Sequence, residues 1–262
     1  MKVKKDTLLY DAISEGQMND WGVIGYIKKW LAISPHAGVY EVDDRPYKSR
    51  SASRKRMHFH PSSDCMKCER QLYFERDDST PLPPDNIDSG LQAIFKTGSA
   101  MHSMVQAWFG AMSVLDGYPV LVEAERRIEG GCFEGYGVGG YIDAVVRLPG
   151  SDSDIPVEIK TCNDRVFSTL SSPKPEHKMQ LACYLAWMGA PYGIVLYINK
   201  NTSEMKEFKV EPTDLSNILI RWSNVRRALD SGSPDGLSFG CTEGSRDWER
   251  CPFAGVCFKK TE

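Results

Sequence analysis

The spacing of apolar and polar residues divides the chain into helices and strands. Apolar residues three or four positions apart predict helices over residues 20–33 and 91–115. The residues expected to face a core are Ile24, Ile27 and Leu31 in the first helix and Ile94, Met101, Val105 and Trp108 in the second. Further helices are predicted over 175–189 and 213–230.

Between the helices lie segments with the alternating or continuous apolar pattern of strands. These segments are 119–129, 138–148, 155–161, 193–199 and 204–210. The order is helix, three strands, helix, two strands, helix, which predicts an α/β core whose central mixed β-sheet is flanked by helices. The N-terminal third and the last thirty residues are expected to be additions to that core.

Composition narrows the class of protein. Hydrophobic residues make up 41% and charged residues 26% of the chain, as in soluble globular proteins. No apolar run approaches the ~20 residues of a membrane-spanning helix, and the N-terminal LLY is too short for a secretory signal. We therefore expect a cytoplasmic protein with no membrane partner. A net charge of −3 argues against a protein that coats nucleic acid through its overall positive charge. It is compatible with a local basic groove that binds nucleic acid.

Two strand segments carry the most informative polar residues. Asp143 lies in GYIDAVV, and Glu158 and Lys160 lie in PVEIKT, where alternate residues share one face. If the strands are adjacent, the two carboxylates and the carbonyl of Ile159 offer the oxygen ligands that Mg²⁺ or Mn²⁺ prefers. Lys160 would then stand beside an ion that activates water. On spacing alone, a hairpin with a salt-bridged Asp and a surface Glu–Lys face remains an alternative.

Four motifs occur in order, each on the expected type of element. They are Gly98-x-x-x-His102, Gly140-x-x-Asp143, Glu158-x-Lys160 and Gln180-x-x-x-Tyr184. With them, residues 62–258 resemble the RecB-like branch of the PD-(D/E)XK nuclease superfamily. This branch includes the CRISPR-associated iron–sulfur exonucleases and the AddB-type nuclease domains. The resemblance implies a restriction-endonuclease-like core and DNA hydrolysis.

The resemblance also assigns roles to individual residues. It implies that His102 joins Asp143 and Glu158 as a metal ligand, and a nitrogen ligand favours Mn²⁺ over Mg²⁺. Gln180 and Tyr184 share one helix face, where they would contact the DNA backbone or support the catalytic Lys160. The alternatives are a hydrogen-bonded helical histidine and a packing helix with a polar edge.

The cysteines are too sparse for a disulfide-stapled mini-protein, and grouped cysteines in a reducing compartment more often bind a metal or a cluster. The iron–sulfur members of the branch imply a 4Fe-4S cluster held by Cys68, Cys241, Cys251 and Cys257. The nine residues before Cys251 depart from the family's usual two. Cys65 therefore remains a substitute ligand, in a four-cysteine zinc site. The others, Cys132, Cys162 and Cys183, are expected to be buried small residues.

Residues 45–60 contain six Lys or Arg and no acidic residue. The side chains expected to contact DNA phosphates are Arg50, Arg54, Lys55 and Arg56. A solvated basic loop is the alternative.

The site residues and the resemblance together predict a Mg²⁺- or Mn²⁺-dependent deoxyribonuclease. The resemblance implies a structural 4Fe-4S cluster and exonuclease action on single-stranded DNA or DNA ends. A structure-selective endonuclease, or a zinc- or cluster-stapled DNA-binding subunit with a vestigial site, stays open. The expected domains are an N-terminal helical and basic extension (1–61), a nuclease core (62–232) and a C-terminal cysteine segment (233–262). The expected protein partners are components of a complex for phage replication, recombination or spacer acquisition.

Overall fold

The computed structural model describes residues 21–33, 58–83 and 88–258. The chain forms two compact units, each built from separate segments. The first, the sheet unit, comprises Met1–Asp44, Ala93–Arg126 and Tyr141–Pro212. The second, the cysteine unit, comprises Arg45–Gln92, Arg127–Gly140 and Thr213–Glu262. The domain boundaries expected from the sequence stay a prediction.

The elements follow the predicted order, with several short helices added. The helices are α1 (Ile24–Ile33), α2 (Pro61–Asp64), α3 (Glu69–Phe74), α4 (Ser89–Met112), α5 (Asp164–Thr169), α6 (Pro175–Met188), α7 (Ser216–Ser231), α8 (Arg246–Arg250) and α9 (Ala254–Cys257). The strands are β1 (Val120–Ile128), β2 (Gly140–Arg147), β3 (Asp154–Cys162), β4 (Gly193–Asn199) and β5 (Met205–Val210). A single 3₁₀ turn, Gly131–Phe133, follows β1.

The five strands form one sheet in the order β1-β2-β3-β4-β5. Strands β2 and β3 run antiparallel, with Ala144 opposite Val157. Strand β4 lies parallel to β3, which places Tyr197 opposite Lys160, and β5 closes the sheet antiparallel to β4. Helix α6 packs against β3 and β4. The predicted α/β class, with a mixed sheet flanked by helices, is confirmed.

The core of the sheet unit lies between α4, α1 and one face of the sheet. Val105 and Trp108 of α4 are buried there, together with Val157 and Ile159 of β3. Ile94 of the same helix is 55% exposed, so its predicted core position is wrong. The buried residues of this 24-residue helix all lie in its C-terminal half, so its N-terminal half, which contains Ile94, is too far along the helix to reach the core.

Helix α1 is confirmed, but its buried face is shifted by one position. Ile27 and Trp30 are buried, whereas Leu31, which was expected to face the core, is exposed. The ring of Trp30 lies 6.3 Å from that of Trp108, so an aromatic side chain takes the place expected for the leucine. Within the described residues, no helix combines the length and apolar character needed to cross a membrane.

The cysteine unit is built around the packing of α3 on α7. Trp222 of α7 is fully buried, and its ring stacks on Phe59 at 5.1 Å with an interplanar angle of 6°. Phe59 also forms a parallel bridge to Val138. Phe74 of α3 stacks on Phe253, which lies between the last two cysteines in sequence. This packing attaches the C-terminal segment to α3.

Candidate active site

The centre of the candidate site is formed where β2 and β3 lie side by side. Ala144 lies opposite Val157, so the preceding Asp143 and the following Glu158 are neighbours across the two strands. The Oδ2 atom of Asp143 accepts a hydrogen bond of 2.7 Å from the backbone N–H of Ile159. The two carboxylates that the sequence places on adjacent strands are thus brought together.

Glu158 is held by two donors on one of its oxygens. Its Oε1 accepts from Lys160 Nζ at 2.5 Å and from Gln180 Nε2 at 2.7 Å. The amide of Gln180 also donates to the hydroxyl of Tyr184 at 2.9 Å. The bond between Glu158 and Lys160 shows that these two residues share one face of β3, as alternation in a strand requires.

The second oxygen of Glu158 has a different environment. The residue is 1% exposed, and Oε2 has no hydrogen-bond partner among the described residues. Burial raises the pKa of this carboxyl, and the nearby charge of Asp143 raises it further, against the opposing effect of Lys160. A buried carboxylate with an unpartnered oxygen is costly unless a cation or a proton satisfies it.

Helix α4 contributes polar side chains one turn apart. His102 Nδ1 lies 3.5 Å from Oδ1 of Asp143. Burial disfavours the charged imidazole, but Asp143 and Glu158 outweigh it and raise the pKa of His102. Four residues later, Gln106 donates to the carbonyl oxygen of Asp143 at 2.7 Å. The sequence analysis missed Gln106, although its i, i+4 spacing from His102 was an available signal.

Glu125 on β1 is linked to the same group. Its Oε1 accepts from Gln106 at 2.7 Å, so one amide joins this carboxylate to the backbone of Asp143. Its φ of 51° lies in the left-handed region, which is uncommon for a residue other than glycine within a strand. Strain of this kind concentrates at functional sites.

The structure brings most of the predicted site residues into one group. This group comprises His102, Asp143, Glu158, Ile159, Lys160, Gln180 and Tyr184. Gln180 and Tyr184 are buried, so the structure places them behind Glu158 and not on an exposed DNA-binding face. The predicted phosphate contacts Arg50, Arg54, Lys55 and Arg56 lie outside the described residues.

The chain has low similarity to solved structures of other proteins. It is 19% identical to SSO0001 with a TM-score of 0.45, covering 92% of this chain and 99% of that one. It is 18% identical to an alkaline exonuclease from Laribacter hongkongensis with a TM-score of 0.46, covering 66% and 88%. The same values apply to that exonuclease in complex with dAMP. No protein-family model matches the chain, and no curated protein sequence matches it.

A second group of chemically reactive residues lies in the cysteine unit. The thiols of Cys68, Cys251 and Cys257 all act electrostatically on Cys241 and, after burial, raise its pKa. Burial also raises the pKa of Cys257, where Arg70 acts in the opposite direction. The four cysteines implied by the resemblance therefore lie in one region of the cysteine unit, within range of one another's charge.

The approach of the two cysteine-bearing segments is close. A Cβ atom built on Gly240 would collide with Cβ of Cys68, so only a residue without a side chain fits beside that cysteine. A cavity of about 660 Å³ opens there, with Cys68, Cys241 and Cys251 in its wall. As the side chains stand, no three His, Cys, Asp or Glu residues in the described ranges are close enough to hold one metal ion.

Hydrogen bonds reach two of the four sulfurs. Arg70 Nε donates to Cys257 Sγ at 3.2 Å, and the backbone N–H of Gln71 donates to Cys68 Sγ at 3.4 Å. N–H groups directed at sulfur are the usual outer partners of ligating thiolates.

Of the three cysteines expected to be buried small residues, one is. Cys183 is buried as predicted, but Cys132 is exposed and Cys162 is partly exposed. The predictions for these last two are wrong, because Cys132 lies in a 3₁₀ turn and Cys162 ends a strand.

Proposed function

We propose that this chain is a deoxyribonuclease that uses Mg²⁺ or Mn²⁺ to hydrolyse DNA phosphodiester bonds. Exonuclease action on single-stranded DNA or DNA ends is the expected mode. A restriction-endonuclease-like core of the RecB-like type and a structural 4Fe-4S cluster belong to the same proposal. The cytoplasm is the expected location, with DNA as the main partner.

One observation carries the nuclease proposal. Glu158 is buried beside Asp143, with an oxygen that has no partner among the described residues. The buried carboxylate of Glu158 and the half-buried one of Asp143 repel each other, and a divalent cation held by both would remove the repulsion and satisfy the unpartnered oxygen. The donors available are carboxylate oxygens and one imidazole, which suit Mg²⁺ or Mn²⁺.

The donor types present suit such an ion. Asp143 and Glu158 would hold it together with His102, with the carbonyl of Ile159 as the expected backbone ligand, and these side chains would have to draw closer together than they stand in the structure. A bound divalent ion supplies a Lewis acid and a water of lowered pKa.

The chain's own side chains contribute the rest of the chemistry. Lys160 places a positive charge beside Glu158, where it can stabilise the charge that develops on a phosphate during attack. Gln180 fixes the orientation of Glu158 by donating to Oε1, and Tyr184 occupies the other N–H of that amide. Gln180 and Tyr184 are thus positioning residues.

DNA cleavage tests the proposal directly. End-labelled single-stranded and duplex DNA, with circular DNA alongside, are incubated with the protein and Mn²⁺ or Mg²⁺. We expect loss of the labelled strand by the wild type and at least a hundredfold slower cleavage by Asp143→Asn, since each lost ligand removes transition-state stabilisation of several kcal/mol. Asp152→Asn, an exposed carboxylate outside the site, is the matched control and is expected to cleave normally.

The substrates separate the alternatives. Cleavage of linear DNA alone supports an exonuclease, and cutting of circular DNA supports an endonuclease on the same fold. If the wild type and Asp143→Asn leave every substrate intact to the same extent, the nuclease proposal fails and a DNA-binding subunit becomes the better account.

Two features of the structure support Cys68, Cys241, Cys251 and Cys257 as cluster ligands. Gly240 permits close approach to Cys68, and N–H donors reach two of the sulfurs. A cluster held by four thiolates matches this donor set. Zinc bound by Cys65 in place of Cys241 is the alternative.

Metal analysis tests the cluster. Protein purified without oxygen is expected to be brown and to contain about four iron and four sulfide per chain. Cys241→Ala should lose iron, whereas Cys65→Ala and the exposed Cys132→Ala should retain it. Colourless protein containing one zinc would exclude the cluster. Loss of iron in Cys65→Ala, but not in Cys241→Ala, would show that Cys65 and not Cys241 is the fourth ligand.

A further inference from the structure

His177 lies one helical turn before Gln180 on α6, on the side of the sheet that carries Lys160. Its Nδ1 is 2.7 Å from the hydroxyl of Tyr197, and the two ring centroids are 5.5 Å apart. Tyr197 lies opposite Lys160 in the parallel pairing of β3 and β4. Paired residues of adjacent strands project to the same face, so Tyr197 holds the imidazole beside Lys160.

The hydrogen bonds of Tyr197 favour one tautomer of His177. The Tyr197 hydroxyl oxygen accepts from the backbone N–H of Lys174 at 3.0 Å. Because this oxygen already accepts a hydrogen bond, we assign its O–H as the donor to Nδ1 of His177. A neutral imidazole whose Nδ1 accepts must carry its own proton at Nε2.

The surroundings keep this imidazole neutral. Burial lowers the pKa of His177, and the positive charges of Lys160 and Lys174 lower it further, to about 3. A second cation is thus avoided next to Lys160, while a directed N–H donor is retained. Nε2 is not engaged by any hydrogen bond within the described part of the chain, and the residue is partly exposed.

We propose that His177 is a phosphate-binding residue of this site, donating from Nε2 to a non-bridging oxygen of the DNA strand beside Lys160. The inference rests on the proposed nuclease function and deepens it. The ligand class follows from the charged neighbours, because Lys174 and Lys160, the second of which is paired with Glu158, both act on the imidazole, and an anion could accept from these cations and from the neutral N–H together. Tyr197 acts through His177 as a positioning residue.

DNA affinity tests the contact apart from chemistry. A fluorescent single-stranded oligonucleotide is titrated with protein carrying Asp143→Asn, with and without His177→Ala. We expect the second change to weaken binding about tenfold, the typical effect of losing one hydrogen bond to a charged group. In the protein that retains Asp143, His177→Ala should raise the KM for DNA cleavage by a similar factor.

Two matched substitutions separate a donor from a packing role. Gln places an N–H near the position of Nε2, whereas Asn places one nearer to Nδ1, so His177→Gln should restore most of the affinity and His177→Asn should not. Tyr197→Phe keeps the ring but frees the imidazole to carry its proton on either nitrogen. We expect it to weaken binding about two- to threefold.

Salt dependence tests the neutral state of the imidazole. Removing a cation that contacts a phosphate makes the negative slope of log K against log salt shallower by about 0.7 for single strands. Lys174→Ala, which removes a cation next to His177, should have this effect, and His177→Ala should leave the slope unchanged while weakening binding at every salt concentration. A shallower slope in His177→Ala would show that the imidazole is charged and would overturn the assignment.

The outcomes distinguish the two proposals. If His177→Ala binds and cleaves like the wild type, or if Gln fails to restore what Ala removes, the inference about His177 fails while the nuclease stands. If the wild type cleaves no DNA but binds it with the expected dependence on His177, the contact stands and the nuclease proposal fails. Thermal unfolding of each variant identifies changes that arise from lost stability.

Discussion

The central side chains of the candidate site depend on one another for their orientation. Glu158 is held on one oxygen by Lys160 and Gln180, and its other oxygen faces no donor among the described residues. Asp143 is held in turn by the N–H of Ile159. Glu158 is therefore fixed by donors on one oxygen, whereas Asp143 has the N–H of Ile159 at Oδ2 and His102 at Oδ1. Such preorganisation lowers the cost of binding a cation and a phosphate in a single geometry.

Substitution of Gln180 tests this support. Gln180→Leu removes the donor to Glu158 without adding a charge, so we expect kcat to fall about tenfold and KM to change little. Tyr184→Phe leaves the bond to Glu158 intact and should retain most of the activity. A rise in KM with unchanged kcat in Gln180→Leu would instead indicate a DNA contact.

Some residues of the candidate site could be predicted from the sequence and others could not. Asp143, Glu158 and Lys160 could be predicted because strand alternation places residues on faces without knowledge of the fold. Gln106 was missed although its spacing from His102 was a signal, whereas Tyr197 could not be predicted, because its role depends on which elements pack together. The parallel pairing that places Tyr197 beside Lys160 is a long-range feature that no local pattern contains.

At the scale of elements, long periodic segments were predictable and short ones were not. All five strands and the four long helices lie close to their predicted positions, since each repeats its pattern several times. Helices α2, α3, α5, α8 and α9 have four to six residues, too few for a visible period. Caps mark some of them instead, such as Asn163 before α5 and Ser245 before α8.

Helices α2 and α3 are joined by a buried ion pair. The fully buried carboxylate of Asp64 contacts Arg76 at 2.5 Å and Lys67 at 3.1 Å, and accepts from the N–H of His60. Burial would raise the pKa of Asp64, but the two cations and this hydrogen bond outweigh it and hold the pKa to about 2. The connected segment includes Cys68, so this network orders a proposed cluster ligand.

We expect Asp64→Asn to destabilise the protein by about 3–5 kcal/mol at pH 7, because it leaves Arg76 buried without its counter-ion. The depressed pKa of Asp64 contributes about 2 kcal/mol of stability, fully present above the unfolded value near 3.9 and lost as pH falls toward 2. Denaturant unfolding of both proteins between pH 7 and pH 3 measures this. A difference that does not shrink toward low pH would contradict it.

The cysteine segments provide a matched pair of glycines. Gly240→Ala places a Cβ against Cys68, so we expect a loss of about 1–3 kcal/mol of stability together with loss of iron. Gly255→Ala meets no atom within 4 Å and lies in helix α9, so stability should be unchanged or slightly raised. Iron content and unfolding midpoints of the two variants give the comparison. Equal iron content in both would remove the support that Gly240 gives to the cluster.

At the scale of the whole molecule, the two units divide the proposed chemistry between them. The residues of the candidate active site, including Asp143 and Glu158, all lie in the sheet unit. The four proposed cluster cysteines all lie in the cysteine unit. The cysteine unit is assembled from segments far apart in sequence. Polar contacts that join them include the bonds of Arg70 to Cys257 and of Glu69 to Ser238. A cluster would add covalent links between the same segments.

Removal of the proposed cluster iron should therefore lower the local stability of the cysteine unit more than that of the sheet unit. A group that binds the folded state contributes its binding free energy to stability, and linking distant segments also reduces the entropy of the open chain. After removal of iron by a chelator under oxidising conditions, we expect faster amide hydrogen exchange in residues 58–83 and 213–258. Strand β4, whose residues are all buried, and the buried middle of β3 should remain protected.

The measurement is hydrogen exchange followed by mass spectrometry on the full-length chain, with and without iron, and with Cys241→Ala as a second iron-poor form. Agreement between the chelated protein and this variant would separate loss of the ligand from side effects of the chelator. An equal increase in exchange across β3 and β4 would show that the cofactor stabilises the chain as a whole. In that case its role could not be confined to joining the cysteine segments.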